Sequence, residues 1–180
     1  MKRFSLAFLA AAALAALYLD SVFFPKVNLG GIRPDALLAL VAAMSLLMGS
    51  TKGAVLGLAL GLVADVLYAR MVGLTAIGCM VCGAAGGFFY QKYYADNLVF
   101  PALIAAAGAL FKEHVMALAA RLSGADFSYF HVLGSYILPC MLMTVALSIP
   151  VHALMKRLYA GQIRTEKRAM RDRAETGGAS

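Results

Sequence analysis

Residues 33–87 read RPDALLALVAAMSLLMGSTKGAVLGLALGLVADVLYARMVGLTAIGCMVCGAAGG. Two apolar runs in this stretch are joined by Gly49-Ser50-Thr51-Lys52-Gly53, a turn too short for anything but a tight hairpin. The second run carries Gly53, Gly57, Gly61 and Asp65 at a strict spacing of four. On a helix that spacing puts three glycines and one carboxylate in a single stripe, because residues four apart sit above one another. Small residues on one stripe let another helix approach closely, which drives association in lipid, where apolar side chains gain nothing by meeting each other. The carboxylate at the end of the stripe needs a partner or water, which directs Asp65 to the protein interior. The next apolar run, from about Gly73 to Phe89, carries Cys79, Gly83 and Gly87, again four apart. It is the natural partner for the glycine face.

The composition around this stretch is that of a membrane protein. Of 180 residues, 62% are hydrophobic and 14% charged, and the mean hydropathy is +0.81. A soluble domain carries about a quarter charged residues. Apolar runs of roughly 20 residues, the length that crosses a bilayer, recur along the chain. The expected fold class is therefore an all-α integral membrane protein, a six-transmembrane-helix bundle forming one domain over residues 1–157. A basic, disordered tail is expected over 158–180. The spans leave no room for a soluble catalytic domain.

Cys79, Cys82 and Cys140 all lie inside apolar runs, which argues against a disulfide framework. The Cys79-x-x-Cys82 pair lacks a second pair or a nearby His for a metal site, and no βαβ pattern suggests a redox motif. The cysteines read as small packing residues, and neither a metal nor a cofactor is expected.

Upstream, Met1-Lys2-Arg3 precedes an apolar run from Phe4 to Phe24, broken by Ser5, Asp20 and Ser21. Ala13-Leu14-Ala15 resembles a signal-peptide cleavage site. The run continues past it far enough to span, so a retained first helix is expected. A loop with Asn28, Gly30 and Gly31 leads to Pro34 at the favoured first helical position, with Asp35 in the first turn near the positive end of the helix dipole. On that reading Arg33-Pro34-Asp35 is a helix start and nothing more. The second helix runs to about Met48, and the third from Gly53 to about Ala69.

Downstream, Tyr90, Tyr93 and Tyr94 match an interfacial aromatic belt, and Asp96 and Asn97 cap a fifth helix that runs to about Leu122. Midway this helix carries Lys112, Glu113 and His114. Three consecutive ionisable residues cannot share one helix face, and leaving one in lipid costs at least about 2.5 kcal/mol. They are expected either as structural groups, in a buried ion pair or facing a wet internal cleft, or as a functional polar site. The sixth helix, from about His131 to Met155, contains Pro139 and Pro150, which predict kinks. His131 and His152 lie near its ends, where they can snorkel.

From Lys156 the apolar character stops. Lys156, Arg157, Arg164, Lys167, Arg168, Arg171 and Arg173 outnumber Glu166, Asp172 and Glu175. Such a juxtamembrane cluster is drawn to anionic head groups by about 1 kcal/mol per basic residue. Six spans with an inner N-terminus put Lys2, Arg3, Lys52, Lys92 and the seven basic tail residues inside, against Lys26, Arg33, Arg70 and Arg121 outside. The positive-inside rule then gives both termini in the cytoplasm. The net charge of +7 thus reports orientation, and nucleic acid is not expected as a partner.

The ordered set Arg33-Pro34-Asp35, the short hairpin, Gly53-x-x-x-Gly57-Leu58-x-x-Gly61-Leu62-x-x-Asp65 and Gly73-Leu74-x-Ala76 resembles the MreD family, the rod shape-determining membrane proteins of bacteria. The resemblance implies a non-enzymatic component of the cell-elongation machinery in the bacterial cytoplasmic membrane. It implies a fold similar to the six-helix substrate-binding subunits of energy-coupling-factor vitamin transporters. It also implies an MreC-like periplasmic partner, in an assembly with MreB filaments, a RodA-type polymerase and a class B penicillin-binding protein. At the matching positions Pro34, Asp35, Gly57, Gly61, Asp65 and Gly73 are family-type residues, structural more than chemical. The basic tail, the cysteine pair and Lys112-Glu113-His114 do not map onto the family pattern.

Three classes of function compete. A scaffold would use Pro34, Asp35, Gly53, Gly57, Gly61, Asp65, Gly73, Gly83 and Gly87 for helix packing or partner binding, with Lys112, Glu113 and His114 as intramembrane polar groups. Its basic tail, with Lys156, Arg157, Arg164, Lys167 and Arg168, would face anionic lipid. The alternative is a substrate-binding subunit of an energy-coupling-factor transporter, for which Ala7, Ala11 and Ala15 offer a docking stripe. Such a subunit needs polar side chains converging from the outer loops, where Asn28, Arg33, Arg70, Arg121, Ser123 and Asp126 are on offer. Against an enzyme, the chain has no catalytic carboxylate pair on one helix, no H-E-x-x-H, no G-x-S-x-G and no phosphate loop. Glu113 and His114 point about 100° apart, poor geometry for a shared proton. The scaffold is the reading taken.

Overall fold

In a computed structural model residues 6–27, 31–68, 72–88, 99–126 and 128–177 are described, with side chains described within residues 9–158. Every regular element among them is helical: α1 (6–27), α2 (Ala36–Met48), α3 (Ser50–Tyr68), α4 (Leu74–Phe88), α5 (Val99–Leu122) and α6 (129–177). Two helices contain a widened, π-type turn, Leu19–Phe23 in α1 and Leu133–Ile137 in α6. The second ends just before Pro139, whose ring nitrogen has no hydrogen to donate to the preceding turn; local π geometry is one way a helix accommodates that gap. Pro150 lies inside α6.

Among the described residues four helical stretches are long and apolar enough to cross a membrane: Leu9–Lys26, Ser50–Leu67, Val99–Leu122 and Tyr129–Leu158. The six helices are thus not six helices of spanning length, because α2 and α4 have 13 and 15 residues. At the α-helical rise they measure about 20 and 22 Å, against roughly 30 Å of hydrocarbon. Non-helical backbone at membrane depth is tolerated where protein buries it or where it lines a cavity. The segment leading into α2 does both, since Pro34 and Asp35 are buried and line a cleft.

The bundle is built around α2. Every residue from Ala36 to Leu47 is buried, and α2 packs on each of the other five helices. A helix that is apolar on all sides has no face to show to water and only gains by being enclosed; Ser45 is its one polar residue, and its hydroxyl donates to the Ala42 carbonyl at 2.8 Å. Leu37, Leu38, Val41 and Met44 are fully enclosed there.

Helix boundaries differ from the sequence reading at three places. Asp35 is the N-cap of α2, with extended backbone (φ −107°, ψ 95°) and Ala36 as the first helical residue, so Pro34 stands outside the helix rather than at its first position. The hairpin turn is the single residue Gly49, at φ +92°, and α3 begins at Ser50. Finally, α6 continues as helix to Gly177, over most of the segment expected to be disordered. Residues 156–177 are rich in Arg, Ala, Lys and Glu, all strong helix formers, and no proline interrupts them.

Candidate functional site

The most extensive helix pairing in the bundle is α3 on α4, and glycines make it. A Cβ built on Gly53 would lie 2.6 Å from the Gly83 carbonyl oxygen, and one on Gly61 would lie 2.6 Å from the Ala76 Cα. A Cβ on Gly57 would overlap the Cys79 carbonyl. From the α4 side, one on Gly83 would overlap Gly53, and one on Gly87 would overlap the Ser50 backbone. Backbone touches backbone along the whole seam, the small-residue contact that lipid favours. Ser50 fastens one end, its hydroxyl donating to the Ala84 carbonyl at 2.9 Å.

Asp65 closes the other end of the seam. It is 1% exposed, and its carboxylate accepts from the backbone N–H groups of Gly73 (2.8 Å), Ala76 (3.0 Å) and Thr75 (3.3 Å). A helix start leaves four N–H groups unbonded, and Asp65 satisfies three of those at the start of α4 from a different helix. Gly73 reaches it at φ +104°, a backbone region that glycine enters without steric cost.

The start of α2 is held by two carboxylates. Ala36 and Leu37 donate to the two oxygens of Asp20 in the π-turn of α1, at 2.7 and 2.9 Å, and Leu38 donates to Asp35 Oδ1 at 2.7 Å. The second oxygen of Asp35 is in close contact with Lys112 Nζ. Asp35 is therefore more than a helix start: it ties α2 to α5 by charge. Its own N–H donates to Thr144 Oγ1 of α6 at 3.0 Å, while the Thr144 hydroxyl donates to the Cys140 carbonyl at 2.9 Å. The Cys140 thiol in turn donates to the Arg33 carbonyl at 2.7 Å. Gly78 leaves room for the stem of Lys112, since a Cβ there would come within 2.8 Å of its Cγ.

These groups border a cleft of about 590 Å³. Asp20, Arg33, Asp35, Lys112 and Glu113 supply its charges, and Tyr136, in the π-turn of α6, supplies an aromatic wall. Lys112 Nζ lies 3.7 Å from Glu113 Oε1. The third member of the ionisable run faces elsewhere: His114 Nδ1 lies 2.7 Å from the Leu110 carbonyl oxygen, and its ring packs edge-on against Tyr129 with centroids 5.9 Å apart. Lys112 thus pairs with Asp35, and Asp65 stays within the α3–α4 pair.

The cysteines are buried free thiols, and among the described residues no group of three His, Cys, Asp or Glu is placed to hold a metal ion. Lys156 and Arg157 are exposed, while the side chains of Arg164, Lys167 and Arg168 lie outside the described residues. So do Asn28, Arg70, Tyr90, Lys92, Tyr93, Tyr94, Asp96 and Asn97. Asp20, Thr144 and Tyr136 were not singled out in the sequence. For Asp20 a signal existed, because a carboxylate inside an apolar span is a functional candidate by default.

The sequence model of one family, described as rod shape-determining protein MreD, matches residues 2–160. The chain belongs to the MreD family. No curated protein and no solved structure matches it. Membership gives this MreD-family protein a role in determining rod shape and makes it a membrane protein. The match takes in the glycine seam and the charged cleft, so both lie inside the family domain. The helical segment 161–177 lies beyond it.

Proposed function

We propose that this MreD-family protein is a non-enzymatic scaffold of the bacterial cell-elongation complex, binding an MreC-like periplasmic protein and cell-wall synthases. The chain crosses the cytoplasmic membrane six times with both termini in the cytoplasm, in a fold like that of energy-coupling-factor substrate-binding subunits. The observation that carries the reading is how the bundle uses its carboxylates. Asp20, Asp35 and Asp65 each accept backbone N–H bonds at the start of a helix. Groups saturated in this way fix the relative positions of helices, and a fixed bundle presents a constant surface to partner helices or periplasmic domains. The basic segment after Lys156 rests on anionic lipid and faces the filament side of the assembly.

The test is a mild-detergent pull-down of tagged protein from its native membrane, with a Gly61→Leu variant alongside. Co-purification of a single-span periplasmic protein, a RodA-type polymerase and a class B penicillin-binding protein is expected for the wild type and is lost or weakened for the variant. Recovery of an ATPase pair with a coupling transmembrane subunit would replace the scaffold reading with the transporter one. A variant that expresses and co-purifies normally would detach the glycine seam from partner binding. Deleting residues after Arg157 leaves the bundle folded and lowers the amount of anionic lipid retained on purification; unchanged retention would make that segment a topology signal alone.

A further inference from the structure

The charges around the 590 Å³ cleft do not balance. The starts of α2 and α4 stand at its wall, and the positive end of a helix ordinarily draws an anion. Here the chain has already filled both ends. Ala36 and Leu37 donate to Asp20 and Leu38 to Asp35, while Gly73, Thr75 and Ala76 donate to Asp65. Lys112 is in turn engaged in close contact by Asp35. Glu113, with a side chain only 12% exposed, shares that same ammonium at the longer distance of 3.7 Å. Three carboxylates, those of Asp20, Asp35 and Glu113, thus share one buried ammonium, with Arg33 exposed at the rim. A carboxylate withdrawn from water calls for a positive partner.

Volume and lining narrow the partner further. A pocket of several hundred Å³ suits a small organic group and is much larger than a bare metal ion needs. Between the charges the wall is formed by Leu74, Met116 and Ala120, together with the ring of Tyr136. Such a wall packs an alkyl stem and offers an aromatic face to a cation. Both π-turns among the described residues place a residue at this cleft, Asp20 from α1 and Tyr136 from α6, and π-turns recur at functional sites.

We infer that the cleft binds an organic cation, an alkylammonium or guanidinium group, with Glu113 as its counter-charge and Tyr136 along its stem. The inference goes beyond the scaffold reading and does not rest on it. The same chemistry has two sources: a free amine, or a lysine or arginine side chain presented by a partner protein.

The experiment uses the full-length protein in neutral-lipid nanodiscs, with spermidine and arginine methyl ester as probes and glutarate as the anionic counterpart. Thermal unfolding and calorimetric titration are expected to show saturable binding of the cations and none of glutarate. Glu113→Gln weakens that binding roughly tenfold or more, the loss typical of a hydrogen bond to a charged group. Ala120→Trp fills the cleft without touching a charge and abolishes it. A wild type with no saturable response to either cation overturns the inference, as does binding unaltered in both variants. A photoreactive residue in place of Ala125, in native membranes, separates the sources. A protein-sized adduct that excess arginine methyl ester removes assigns the site to a partner's basic side chain. An amine recovered from the purified protein by mass spectrometry, without such an adduct, assigns it to a free ligand.

Discussion

The seam between α3 and α4 and the cleft at the start of α2 hold the same bundle together by opposite means. In the seam the side chains have been removed until backbone meets backbone, with Gly53 against Gly83 and Gly57 against Cys79. In the cleft long polar side chains reach across helices, with Asp20 from α1, Lys112 from α5 and Thr144 from α6 all converging on the first turn of α2. A dry contact of this kind fails when anything is added. A charged one fails when anything is taken away.

Substitutions can break or sharpen that contrast. Gly57→Leu is expected to have the largest effect, because the added side chain meets the Cys79 backbone, which has nowhere to go. A loss of more than about 3 kcal/mol, the upper range for overpacking, should appear as disappearance of the folded monomer on size-exclusion chromatography. Lys112→Met comes next. It leaves Asp35 and Glu113 buried without their ammonium, at a cost of about 3 kcal/mol in a denaturation experiment, the low end for breaking a buried pair. The double variant Asp35→Asn with Lys112→Met should recover part of that loss, and a double variant as damaged as the sum of the singles would show that the two groups are not compensating each other. Asp65→Ala orphans three N–H groups at the start of α4 and should cost about 2 kcal/mol, with Asp65→Asn milder because its amide oxygen still accepts. Gly134→Ala closes the series. A Cβ there meets nothing within 4 Å, so stability should stay within about 0.5 kcal/mol; a larger change would mean that glycines in this bundle matter for more than space.

The two regions were also unequally legible in the sequence. The seam could be read because a spacing of four is a local property of helix geometry, and the same spacing recurs at Cys79, Gly83 and Gly87 in the next apolar run. The cleft could not, because Asp35 and Lys112 are 77 residues apart and no spacing rule joins them. The sequence reading expected Lys112 to find a partner and left the partner open, while treating Arg33-Pro34-Asp35 as a helix start. Asp20 passed as an interruption in an apolar run. The central position of α2 was missed although its signal is plain: from Ala36 to Met48 it has one polar residue and no charge, and a helix of that kind belongs inside a bundle rather than at its edge. Beyond Arg157 a disordered tail was expected, and the backbone there runs on as helix to Gly177.

The burial of α2 has a consequence for how the chain is made. Synthesis proceeds from the N-terminus, so Asp20 is already present when α2 emerges, and Ala36 and Leu37 find their acceptor at once. The N–H of Asp35 waits for Thr144, 109 residues later, and the Asp35 carboxylate waits for Lys112. Until α5 and α6 arrive, α2 is a short apolar helix with an unneutralised charge at its mouth. A chain that stops before α6 lacks the Thr144 acceptor for the Asp35 N–H, and one that stops before α5 also leaves that carboxylate without its ammonium.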